Sequence, residues 1–307
     1  MRKEKNMVLR RRRIQDSRAD KAFYAVNGVV MVLLFVLYAW PLWFVLIASV
    51  SDPNLVQAGE VLLWPKGFHL EGYKLIVEYK DILRGYFNSV VYTVAGTAIN
   101  LVMTIFAAYP LSRKDFMPRK TLAALFIFTM YFSGGLIPLF LQVQRLGLYN
   151  TPWAMMIPCA VSIYNVLILR SFFMYGIPAS LEEAAVLDGA NTAQMLWHVM
   201  LPLVKPTLAV LVLYYAVGHW NDYFSALIYL KDKELMPLQT VLRDILIVGK
   251  IDMQTGGMEM EAIIQKMKQA QTLKYSVIVV STVPLMLVYP FIQKHFVKGI
   301  MVGAVKG

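Results

Sequence analysis

Six stretches of the chain stay predominantly apolar for about 20 residues or more. That is the length at which an α-helix rising ~1.5 Å per residue traverses a hydrocarbon layer ~30 Å thick. They cover about 22–49, 87–110, 121–143, 152–175, 200–230 and 273–293, and they predict an all-α integral membrane protein with six transmembrane helices. The first stretch follows a basic tail, as the core of a signal peptide would. Its apolar run from Ala22 to Val50 exceeds the roughly 7–15 residues of such a core and lacks a small-residue cleavage site, so it reads as a retained anchor helix. Gly134, Gly135 and Pro138 interrupt the third stretch, Pro202 and Pro206 mark the start of the fifth, and Pro284 and Pro290 fall in the sixth. A proline removes a backbone donor and bends a helix. In a bilayer such breaks survive only where neighbouring helices or a cavity satisfy the freed groups. Ordinary kinks and a hinge or cavity lining both fit. The chain shows no internal repeat, low-complexity linker or second soluble domain.

Composition agrees with this pattern. Of 307 residues, 58% are hydrophobic and 16% charged, against ~45–50% and ~25% for a soluble domain. The net charge of +11 raises nucleic acid as a partner, but its distribution removes that reading. Arg2, Lys3, Lys5, Arg10, Arg11, Arg12, Arg13, Arg18 and Lys21 crowd the first 21 residues, Arg113, Lys114, Arg119 and Lys120 the second loop, and Lys294, Lys298 and Lys306 the tail. The segment 51–86 instead carries four basic and five acidic residues, and 231–272 six of each. Basic residues in short loops mark the cytoplasmic side. Both termini, a basic arm over 1–21, and the loops 110–120 and 176–199 are therefore expected in the cytoplasm, in a multi-pass membrane protein. One cysteine, Cys159, cannot form an internal disulfide, and four scattered histidines make no metal cluster.

The loop between the fourth and fifth stretches is the most informative. Pro178 blocks continuation of the preceding helix. Ser180 and Glu183 then have the spacing of a capping box. Gly189 can turn without a Cβ penalty, and Asn191 or Thr192 can cap a second short helix leading to Pro202. The product is a helix–turn–helix with small Ala184 and Ala185 on its surface, either a docking knob or a well-capped connection. The wording of the motif is specific: Glu183-Ala184-Ala185, three residues, Gly189, nine residues, Val199, one residue, Leu201-Pro202. This resembles the EAA loop of bacterial ABC importer permeases, E-A-A-x3-G-x9-I-x-L-P, with Val199 the one departure. Asp188-Gly189-Ala190, Gly218-His219-Trp220-Asn221, Phe296-Val297-Lys298-Gly299 and Gly303-Ala304-Val305-Lys306-Gly307 are similar to its carbohydrate-uptake branch. Tyr131-Phe132-Ser133-Gly134-Gly135-Leu136-Ile137-Pro138 and the insert 231–272 are similar to the lipoprotein-C-like oligosaccharide permeases.

The resemblance implies the type I ABC importer permease fold, with residues 22–307 as the permease domain and 178–200 as a cytoplasmic coupling loop seated in an ATPase subunit. Glu183, Ala184, Ala185, Asp188, Gly189, Leu201 and Pro202 would couple to that ATPase. It further implies a second, homologous permease (a heterodimer), two ATPase subunits that hold ATP and Mg, an external solute-binding protein that contacts 231–272, and a saccharide substrate. No cofactor would reside on this chain, and no nucleic acid would bind it.

The residues agree that the energy source lies elsewhere. There is no G-x4-G-K-[ST] phosphate loop, since Gly249-Lys250 is followed by Ile251. No series of acids or histidines is buried in the spans, as an ion-coupled carrier needs. Arg170 and Lys205 sit near span ends where they can snorkel, and Asp222 lies near the outer interface. No catalytic cluster appears. Sugar pockets combine apolar walls with a few placed polar groups, which makes Tyr131, Tyr164, Asn165, Tyr214, Tyr215, Trp220, Asn221 and Tyr223 the candidates for a substrate pathway. Tyr and Trp also gather at membrane interfaces for reasons unrelated to ligands. Residues 257–272 carry a Met/Ile stripe on good helix formers, suited to an external contact or to a helix lying on the bilayer. An importer permease for a non-sugar solute, or a stand-alone secondary transporter, are the alternatives.

Overall fold

The computed structural model describes residues 17–251 and 270–290, and every regular element among them is helical. α1 (Arg18–Ser49) begins where the Ser17 hydroxyl accepts from the Asp20 amide at 3.1 Å and the Asp20 carboxylate accepts from the Ser17 amide at 2.9 Å. This reciprocal cap satisfies two free donors of the first turn. Only Ile47, Ala48 and Ser49, in its last turn, are buried. α2 (Pro53–Gln57) is capped by Asp52, and α3 (Glu71–Glu78) follows.

α4 (Lys80–Ser112) is the spine. Its buried face includes Gly85, Ser89, Tyr92, Gly96, Asn100, Thr104, Ala108 and Ser112, one small or polar residue every three or four positions. Without a hydrophobic drive between helices in lipid, small residues that let backbones approach and polar residues that bond across are what hold a bundle together. α11 (Lys205–Asn221) packs antiparallel on this stripe through two rungs. Asn100 Oδ1 meets His219 Nε2 at 2.7 Å, and Thr104 Oγ1 meets the Tyr215 hydroxyl at 2.7 Å. Each such bond contributes about 0.6 kcal/mol. A Cβ at Gly96 would come within 2.5 Å of the His219 ring, so that close approach requires glycine. Asn100 also donates from Nδ2 to the Cys159 carbonyl at 2.6 Å. That bond leaves Oδ1 as the acceptor and assigns the proton to His219 Nε2.

The remaining apolar stretches are less regular than hydropathy suggests. α5 (Arg119–Tyr131) and α6 (Leu136–Arg145) enclose a 114° bend. Residues 132–135 leave the helix there, and Gly135 takes φ 88°, a region favourable to glycine. The stretch 152–175 is α-helical only in α7 (Ile163–Tyr175), after a 3₁₀ turn over Pro152–Met155. Beyond α8 (Ala179–Leu187), a rod runs through α9 (Thr192–Gln194), a π turn (Met195–Met200) and α10 (Leu201–Leu203), then bends by 81° into α11. α12 (Phe224–Tyr229), a 3₁₀ turn (Lys233–Leu235), α13 (Leu238–Ile251) and α14 (Ala270–Pro290) complete the described chain. Three helices, α1, α4 and α14, are long and apolar enough to cross a bilayer, and five crossings result if each bent pair counts as one. The arm over 1–16, most of the 257–272 stripe and the tail from 291 lie outside the described residues.

Buried side chains gather at two ends. At the α8 end, Ala108, Leu111, Val166, Leu169, Phe173, Met195, Met200 and Leu211 form the larger cluster. At the α13 end, Ile76, Ile82, Trp220, Leu238, Leu242, Leu273 and Val277 form a second, and three smaller groups lie elsewhere among the described residues.

Candidate functional site

The segment 177–203 projects as a hook. Ile177 is buried and closes the α7 end, and Pro178 (φ −61°, ψ 132°) turns the chain out. The first helical bond of α8 closes from the Leu181 amide onto the Pro178 carbonyl at 3.1 Å. Ser180 is thereby already inside the first turn. The capping box expected between Ser180 and Glu183 does not form, because the helix starts two residues sooner and no side chain caps it. The reciprocal cap appears instead on the second arm. Asn191 Oδ1 accepts from the Gln194 amide and Gln194 Oε1 accepts from the Asn191 amide, both at 2.9 Å.

The corner is closed by backbone alone. Gly189 has φ 79°, its amide donates to the Val186 carbonyl at 3.0 Å, and the Ala190 amide donates to the Ala185 carbonyl at 2.9 Å. This is the Schellman arrangement, in which a left-handed residue satisfies the last carbonyls of the helix. Nothing lies within 4 Å of a Cβ placed on Gly189, so the demand for glycine here is conformational.

No residue of α8 is buried. Glu183, Ala184 and Asp188 are exposed, while Ala185 is half-buried against the cluster at this end. Leu201 is buried and Pro202 exposed at the second position of α10. Sequence reasoning passed over two further features of the hook. Leu181, Val186 and Leu187 are large apolar residues left exposed, Leu187 at 87%. Glu182, adjacent to the motif, pairs with Arg113 across the bundle end.

The eight pathway candidates are not gathered into one place. Trp220 is in the core at the α13 end, its indole N–H donating to the Ser281 carbonyl at 3.0 Å and its ring edge-on to Tyr86. Tyr215 is buried on Thr104, and Asn221 spends its amide on the Val217 carbonyl of its own helix at 2.9 Å. Asn165 is buried. Tyr131, Tyr164, Tyr214 and Tyr223 keep 44–74% of their surface exposed. The Nε of the partly exposed Arg170 donates to the Leu111 carbonyl at 2.9 Å, satisfying an end group of α4. A cavity of about 800 Å³ lies beneath the hook, and none of the eight lines it.

Residues 82–302 match the family model described as the inner membrane component of binding-protein-dependent transport systems. The chain belongs to that family. Among the curated members, Protein LplC of Bacillus subtilis (strain 168) is 37% identical over 294 residues, covering 96% of this chain and 98% of its own length. The polygalacturonan/rhamnogalacturonan transport system permease protein YtcP of the same organism is 43% identical over 267 residues, covering 87% and 92%. A solved structure, that of a bacterial ABC transporter involved in the import of the acidic polysaccharide alginate, superposes with a TM-score of 0.82 at 33% identity. It covers 92% of this chain and 99% of its own. The chain is thus a multi-pass inner-membrane transport component with the fold of this family, and relatives such as YtcP are named as transport system permeases.

Proposed function

We propose that this permease forms one half of the translocation path of an ATP-driven importer for oligosaccharides, and that the hook over 178–200 is its cytoplasmic handle for the ATPase. The carrying observation is the hook itself, a helix with no buried residue held out at one bundle end by a left-handed glycine. A connection that served only to join α7 to α11 would gain by burying its apolar residues. Here Leu181, Val186 and Leu187 stay exposed beside Glu183, Ala184 and Asp188, the mixture of apolar anchors and charge that suits a docking surface. The saccharide class is supported by the relatives, whose names refer to polygalacturonan, rhamnogalacturonan and alginate.

In this reading the chain crosses the bilayer six times, with both termini cytoplasmic. A second, homologous permease covers the lipid-length faces that this chain leaves bare, two ATPase subunits bring ATP and Mg, and the segment 231–272 meets an external solute-binding protein. Of the pathway candidates, Tyr131, Tyr164, Tyr214 and Tyr223 retain open ring faces for C–H stacking. ATPase closure against the hook would alternate an outward-open and an inward-open cavity.

The test uses the tagged chain purified from native membranes with its co-purifying subunits, together with uptake assays against neutral and uronate oligosaccharides. Glu183→Lys and Gly189→Asp are expected to abolish uptake while the chain remains in the membrane at its normal level. Normal uptake by a well-expressed Gly189→Asp variant would overturn the handle.

A further inference from the structure

The hook carries two neighbouring glutamates with different surroundings. Glu183 is exposed and makes no salt bridge among the described residues. Glu182 accepts both ends of a guanidinium fork, Arg113 Nη1 to Oε1 at 2.6 Å and Nη2 to Oε2 at 2.8 Å. Arg113 is only 13% exposed in its side chain. It is the C-cap residue of α4, its guanidinium stands 5.2 Å from the centre of the Tyr109 ring, and its carbonyl accepts from Arg119 Nη1 at 3.1 Å at the start of α5. One residue thus ties together α4, α5 and α8.

The hook has little else beneath it. The cavity of about 800 Å³ between α8 and the bundle end is lined by Tyr109, Ser112, Arg113, Phe173, Val186 and Met195 among others. α8 therefore borders a gap, attached by its covalent ends, by packing of the half-buried Ala185 and contacts with the π turn, and, towards α4, by the Arg113–Glu182 pair. A two-point fork fixes the rotation of α8 as well as its distance, which a single ammonium could not do. The partly buried position screens the pair less than an exposed one.

We propose that Arg113 is the positioning residue of the hook, and that the Arg113–Glu182 pair is the strut through which displacement of α8 is passed to α4. This rests on the hook being the ATPase handle. α4 is the element to drive. It runs 33 residues, touches α7, α11 and α13, and at its far end binds the chain around residues 234–238 through Asn88, Ser89 and Tyr92. Cutting the strut leaves Glu183, Ala184 and Gly189 available to a partner while letting α8 move without α4.

The experiment uses the complex purified from native membranes through a tag on this chain, comparing wild type with Glu182→Gln, Arg113→Lys, Arg113→Glu, Glu182→Arg and the double charge swap. ATPase subunits per permease and the rate of ATP hydrolysis are measured on each. The charge reversals are expected to change the hydrolysis rate by at least about fivefold, the lower end of energetic coupling between sites. ATPase stoichiometry should stay at the wild-type value, and the swap should return to within about twofold of the wild-type rate. Arg113→Lys should fall between, since it keeps the charge and loses the fork. Wild-type rates in the single reversals, a swap no better than the worse single variant, or loss of captured ATPase in Glu182→Gln would each overturn the strut. If the hook is not the handle at all, Glu183→Lys and Gly189→Asp also leave capture and hydrolysis unchanged. If only the strut is wrong, those two retain their effect while the Arg113 and Glu182 variants are silent.

Discussion

The two ends of the bundle solve opposite problems with the same helix. At the α13 end, α4 meets the chain around residues 234–238 through a set of direct hydrogen bonds. Asn88 donates to the carbonyls of Glu234 and Met236 at 2.8 and 3.1 Å, the Tyr92 hydroxyl donates to that of Leu235 at 2.8 Å, and Ser89 accepts from the Leu238 amide at 2.9 Å. Trp220, Leu238, Leu242, Leu273 and Val277 fill the space behind them. At the α8 end, the cluster is larger but the outermost helix buries no residue in it, touching it through the half-buried Ala185 and the π turn and reaching α4 through one ion pair beside a cavity. One end clamps a connection to the bundle, and the other holds one away from it. Multiple bonds spread along a segment hold it at several points, whereas a forked pair between two side chains sets the distance and rotation of α8 at a single point.

The sharpest way to break this contrast is the same substitution at a glycine of each end. At Gly72 a Cβ would collide with the Ser276 side chain and sit 2.7 Å from the Thr272 carbonyl on α14. Gly72→Ala is expected to lose about 3 kcal/mol, the upper part of the overpacking range, seen as a large fall in thermal midpoint or in folded yield. Gly189→Ala meets no neighbour and carries only left-handed strain, about 1–2 kcal/mol confined to the hook, so its global midpoint should stay near wild type. Equal losses at both sites would erase the distinction. A smaller effect is expected from Asn88→Ala, which leaves two carbonyls without their donor and should cost about 1–3 kcal/mol; hydrogen exchange should quicken in 234–242 and not in 179–203. The smallest belongs to Glu234→Gln. Its partner Arg84 stands at 2.9 Å, but the two side chains are 76% and 52% exposed, so solvent should hold the loss below about 1 kcal/mol. A larger change in thermal midpoint would show that this end depends on surface charge as well as on backbone clamps.

What was legible in the sequence was whatever apolarity or local spacing encodes. The expected spans 22–49, 87–110 and 273–293 correspond to α1, α4 and α14, with 291–293 outside the described residues. Gly134, Gly135 and Pro138 marked the place of a break but not its angle, since hydropathy counts residues and is blind to a chain that turns through 114°. Likewise 152–175 is apolar throughout, yet only its second half is α-helix. At the hook, Gly189 and Asn191 behave as their chemistry dictates, because left-handed turns and N-caps are decided within a few residues. Ser180 does not, because the chain direction set by Pro178 overrode a spacing rule. Arg113 had been counted as a charge that orients the chain. Its bond to Glu182 links residues 69 positions apart, and no local pattern reports such a partner. Trp220 carried the look of an interfacial aromatic, but its burial depends on α13 and α14 folding over it.

The π turn in the hook's second arm adds one residue to a helical circuit, visible where the Leu201 amide reaches back to the Leu196 carbonyl. The wider circuit brings two apolar couples, Met195 with Leu196 and Met200 with Leu201, onto the buried side, and leaves Trp197 and His198 outside. An α-helix of 3.6 residues per turn advances about 100° per residue. Deleting a single residue from 195–200 would let the arm relax to ordinary α geometry with little rotation, but forcing all six into that geometry would swing everything upstream by roughly that angle. The composition of the corner at Gly189 would be untouched, yet its compass bearing against α11 would be lost. The aim of the hook is therefore stored as an angular phase in one over-wide coil.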